Sequence, residues 1–133
     1  MTADQRNQRN AIKFWDESSK RDLATARDLL KLKHNHWSLF IYHLAIEKLL
    51  KALVIQAGIT PPYTHNLERL AKLARLNIDK EQSVVLKEIT EYNLTARYPG
   101  EKLLLYKKAT ALYTEQWSKN CEEIYQWLKQ HAQ

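Results

Sequence analysis

Two glycines and three prolines are all that the 133 residues contain. Antiparallel β folds need many turns, and turns draw on those two residue types, so a sandwich or barrel is excluded. Gly58 and Gly100 stand far apart, so there is no glycine-rich phosphate loop. A single cysteine, Cys121, forms neither an intramolecular disulfide nor a structural zinc site, which suits a reducing compartment. A long charge-free apolar run is also missing. The best one, Trp37 to Ile55, carries His43, Glu47, Lys48 and Lys51, too polar for a membrane span. The first ten residues are polar and carry no secretory signal, so the expected location is cytoplasmic and off the membrane.

What is present is the balance of one globular domain: 44% hydrophobic and 27% charged residues in 15.7 kDa. We expect a single domain over residues 1–133, with its core from about 10 to 130. The net charge is +6. It is unevenly spread: residues 79–95 sum to −2, whereas 96–108 hold Arg97, Lys102, Lys107 and Lys108 against Glu101 alone. A basic excess concentrated in one stretch suits a polyanionic partner.

Apolar periodicity predicts five helices and no strand. The first, from about Gln5 to Lys31, carries one stripe through Ile12, Trp15, Leu23, Ala26 and Leu30, with Ser19 as a small interior residue. The second, about Asn35 to Ala57, is apolar nearly all round and is therefore central; Gly58 suits its left-handed cap. A short helix follows Thr64, read as its N-cap, and ends near Leu76. Asp79 and Gln82 have capping-box spacing for a fourth, which continues to about Ala96. Tyr98-Pro99-Gly100 reads as a turn, and the last helix spans about Tyr106 to His131. The fold class is all-α, an up-and-down antiparallel bundle of four to five helices. The central helix leaves apolar area for a second copy if its neighbours do not cover it.

Polar residues on that helix form a line. His36, His43, Glu47 and Lys51 fall within an arc of about 100°, and Glu47 and Lys51 are spaced for an ion pair. The line is either the solvent edge, or a partly buried set that braces a neighbouring loop or a subunit interface. His43 and Glu47 alone are too few ligands for a metal, and none is expected. Cys121 lies beside Glu122 and Glu123, which disfavour its thiolate. His65 sits at a helix start, where a local hydrogen bond suits it. Arg97 with Tyr98 and the following lysines is a combination that contacts phosphate and stacks on a base; alternatively Arg97 caps its own helix and Tyr98 packs in the bundle.

The stretch His43-Leu44-Ala45-Ile46-Glu47-Lys48-Leu49-Leu50-Lys51-Ala52-Leu53 resembles the signature helix of the HEPN domain family. Thr64-His65-Asn66-Leu67 and Ala96-Arg97-Tyr98-Pro99 resemble its next two landmarks, in order, over nearly the whole chain. The resemblance implies a helical bundle that usually dimerises and is frequently paired with a small nucleotidyltransferase in a toxin–antitoxin-type module. It also implies a nucleotide-binding role. Many members are metal-independent ribonucleases with the motif Arg, four to six residues, then His. This sequence departs from that motif. After Arg97 the expected histidine positions hold Lys102, Leu103 and Leu104, and no histidine occurs between His65 and His131. Such chemistry needs a group that exchanges protons near neutrality, which lysine does poorly. A tyrosine follows the histidine in the nuclease subgroup; Tyr106 is close to that spacing without matching it.

The expectation is therefore a dimeric nucleotide- or RNA-phosphate-binding module that uses Arg97, Tyr98, Lys102 and Lys107. His43, Glu47, Lys51 and His65 brace the structure or interface, and no cofactor is expected. The alternatives are a ribonuclease toxin with an altered site at Arg97, Lys102 and Tyr106, or a plain helical scaffold.

Overall fold

The computed structural model describes residues 1–95 and 98–133, which form six helices and no strand. α1 (Ala3–Lys31) begins at a capping box in which Thr2 and Gln5 each satisfy the other's backbone N–H. α2 is Asn35–Gln56, α3 Leu67–Leu73, α4 Lys80–Thr90, α5 Pro99–Lys108 and α6 Ala111–Lys129.

The all-round apolar character of α2 does place it at the centre, with α1, α3, α4, α5 and α6 packed about it. Small residues let α1 approach closely. The Ser19 hydroxyl donates to the Ala45 carbonyl at 2.6 Å and the Ser38 hydroxyl to the Ala26 carbonyl at 2.8 Å. Leu39, Ala45, Ile46, Leu49, Leu50 and Val54 are wholly buried inside one protomer. The surface that a second copy was expected to cover on α2 is thus already covered. Exposed apolar side chains include Trp37 at the start of α2 and Leu103, Leu104 and Tyr106 on α5, while Phe14, Leu32, Val84 and Leu112 are exposed singly elsewhere.

Three helices end in the same way. After α2, Gly58 takes φ +84° while its N–H and that of Ile59 return to the Ile55 and Val54 carbonyls. Lys33 after α1 and Arg75 after α3 adopt φ 62° and 60° with the same pair of bonds. The N-cap of α3 is Asn66 rather than Thr64, whose hydroxyl instead accepts from the Asn66 N–H. The Asp79–Gln82 capping box opens α4 as expected.

Three boundaries differ from the sequence reading. α4 stops at Thr90, because Tyr92, Asn93 and Leu94 turn into the core and the Asn93 carboxamide accepts from the Thr95 N–H and hydroxyl, a local bond that competes with helix. Pro99-Gly100 opens α5 instead of forming a turn; at N1 proline's fixed φ and missing N–H cost the helix nothing. The break before the last helix falls at Ala109–Thr110, with Thr110 capping α6, so Tyr106 belongs to α5.

Candidate functional site

The middle of the polar line on α2, His43 and Glu47, faces the segment between α2 and α3, while His36 at its start faces α5. Glu47 is 4% exposed, and its Oε1 lies 2.7 Å from His65 Nδ1 and 3.3 Å from His43 Nε2. Its Oε2 accepts from Lys51 Nζ at 3.0 Å. The Lys51 ammonium also stands 5.0 Å from the centre of the Trp15 ring on α1. One carboxylate therefore gathers three elements: α2, the connection carrying His65, and α1 through Lys51. His43 is fully buried, whereas His65 is partly exposed beside the freely exposed Tyr63.

The basic segment lies on and before α5. Arg97 falls outside the described residues. Tyr98 is 78% exposed, so it projects to solvent and does not pack in the bundle. Lys102 and Lys107 are exposed and form no ion pair among the described residues, while Lys108 pairs with Glu88 at 2.5 Å. Leu105 alone on α5 is buried. Lys107 and Tyr106 share a cleft of about 480 Å³ with Lys33 and His34 from the α1–α2 connection and His36 from the first turn of α2. The His36 ring meets the Tyr106 ring edge-on with centres 5.2 Å apart. Burial, with the neighbouring His34 charge second, lowers the His36 pKa below its usual value.

The cluster that sequence reasoning missed joins residues 80 to 95 positions apart. Arg27 donates two bonds to Glu122 at 2.8 and 2.7 Å, and the Tyr42 hydroxyl donates to the same carboxylate at 2.8 Å. The Arg27 bonds, opposed by burial, hold Glu122 below the usual carboxylate range; burial pushes the Tyr42 hydroxyl up. No short motif marks this triad, since its members lie on three helices. Cys121, fully buried, has its thiol pushed up by desolvation and is unreactive. Among the described residues no group of three metal-ligating side chains converges, and no helix is long and apolar enough to cross a membrane.

Compared with known proteins, the chain matches the model of the HEPN domain family over residues 12–131. No curated protein and no solved structure matches it.

Proposed function

The chain belongs to the HEPN domain family, and from that premise we propose that it is a dimeric module that binds nucleotide or RNA phosphate without cleaving it. Its proposed partner is a minimal nucleotidyltransferase in a toxin–antitoxin-type system. The observation that carries this reading is the basic segment itself. Lys102 and Lys107 are exposed and unpaired among the described residues, Tyr98 is an open stacking surface, and leucines follow Lys102 where the family's nuclease motif places histidine. Arg97 supplies a guanidinium fork for phosphate in this reading. Glu47, with His43, Lys51 and His65, braces the connection to α3. The contact between copies is assigned to Leu103, Leu104, Tyr106 and Trp37, the exposed apolar side chains of that end.

Fluorescence anisotropy with single-stranded RNA tests the phosphate reading. Affinity falls steeply between about 50 and 200 mM salt, and Lys102→Ala and Lys107→Ala each reduce the salt slope by about 1. Salt-independent binding, or lysine variants with the wild-type slope, contradicts it. Tagged protein from its host recovers the nucleotidyltransferase if the pairing is right.

One observation favours a second reading, a ribonuclease toxin with an altered site at Arg97, Lys102 and Tyr106. That observation is His36, an imidazole whose ring stands against Tyr106 on the helix that also carries Lys102. This reading requires RNA cleavage that persists in EDTA and is lost in His36→Ala; intact RNA with the wild-type protein ends it.

A further inference from the structure

α5 carries three leucines in a row. Leu103, Leu104 and Leu105 stand 100° apart round the helix, so a single face can bury only one of them. That one is Leu105, the only buried residue of α5, while Leu103 and Leu104 stay at least half exposed. Ala109, just past the helix end, is buried too, and its carbonyl accepts from the Asn35 carboxamide at 3.2 Å. A helix of ten residues is too short to persist in water without packing. α5 is thus helical because it is docked, and its buried area lies in its last turn.

The charged anchor of that turn is Glu88 on α4. Its Oε2 takes the Lys108 ammonium at 2.5 Å and also accepts from the Tyr113 hydroxyl of α6. Tyr113 in turn accepts from the hydroxyl of the wholly buried Tyr92 at 2.5 Å, and its ring stacks on Trp117 with centres 5.9 Å apart. Burial, with the Glu88 bond second, pushes the Tyr113 hydroxyl up, so it stays a donor. The Lys108 ammonium also stands 5.4 Å from the centre of the Tyr113 ring. Glu88, Tyr113 and Tyr92 therefore form a fixed post built from α4, α6 and the chain after α4. Lys108 is the movable partner, since its side chain is 45% exposed against 22% for Glu88.

We propose that α5 is a hinged arm latched to the bundle by Glu88, and that it leaves as one unit when the Lys108 ion pair breaks. Opening of this local kind belongs to elements with little buried area. Release changes what the basic segment presents. Docked, Lys108 is spent on Glu88; freed, it joins Lys102 and Lys107, and Leu105 joins Leu103 and Leu104 in the open. The arm needs neither RNA nor a partner protein, so it stands or falls apart from the phosphate reading.

Hydrogen exchange of the full chain, read by mass spectrometry on peptides covering 103–109, tests it. Those amides open together and exchange at least about tenfold faster than the amides of α2 and α6. Glu88→Gln still accepts the Tyr113 hydroxyl but loses the charge, and Lys108→Met keeps the stem without the ammonium. Each raises α5 exchange about tenfold and leaves α2 within about twofold. Glu115→Gln, which breaks the exposed pair with Lys119 on α6, leaves α5 unchanged. The series is repeated on Leu104→Ser, which takes any contact between copies out of the measurement. Acceleration spread evenly over all helices, α5 exchanging in step with α2, or α5 rates indifferent to both latch variants in the Leu104→Ser background overturns the arm.

Discussion

Glu47 concentrates more of the molecule's polar bonding than any position its spacing alone would suggest. A carboxylate 4% exposed and bonded to His65 and Lys51 loses heavily when one side is removed, because the remaining charge stays buried. Glu47→Ala is expected to lower unfolding free energy by about 3 kcal/mol in urea titration. Lys72→Ala, which breaks the exposed pair with Glu68, changes it by less than about 1 kcal/mol. Equal losses for the two would remove the special standing of Glu47. His36 gives a pH test. Its folded pKa lies below the ordinary 6.5, so below that pH the unfolded chain binds more protons and stability falls as pH drops. His36→Asn flattens that part of a stability profile taken between pH 7 and 5; an unchanged slope refutes the assignment.

At the scale of elements, the helix ends divide into favourable and strained versions of one motif. Gly58 reaches φ +84° at no steric cost, whereas Lys33 and Arg75 hold similar angles with a Cβ. Arg75→Gly should therefore raise stability by about 1 kcal/mol and Gly58→Ala lower it by a similar amount. Equilibrium unfolding of the two variants checks the opposite signs, and the same sign for both contradicts the argument. The contrast also explains what was legible in the sequence. The stripe of α1 with Ser19 inside, the all-round burial of α2, Gly58 as a cap and the Asp79–Gln82 box follow from local chemistry and periodicity, and each is where it was expected. α5 was missed because Tyr98-Pro99-Gly100 satisfies the rules for a turn as well as those for a helix start. The early end of α4 depends on Asn93 bonding to Thr95, a choice no periodicity encodes. For the polar line of α2, spacing defined the arc, but burial of Glu47 depends on His65 arriving from another element. The Arg27–Glu122–Tyr42 triad likewise arises only when three distant segments meet.

For the whole molecule, the bundle completes its core around α2 within one chain and leaves one end apolar and basic at once. Leu103, Leu104 and Tyr106 share α5 with Lys102 and Lys107, and Trp37 is likewise exposed at the start of α2. Apolar area of this kind suits a second copy, and unpaired lysines suit a polyanion. Light scattering after size exclusion should give twice 15.7 kDa for the wild type and a shift toward monomer for Leu104→Ser. A dimer unaffected by that change moves the contact elsewhere. The most direct measurement combines binding and integrity in one sample. Purified protein is titrated into end-labelled single-stranded RNA, followed by anisotropy, and the same tubes are then run on a denaturing gel. The account predicts saturable, salt-sensitive binding with every RNA molecule at full length; cleaved RNA that stays intact with His36→Ala protein, or no binding at low salt, would contradict it.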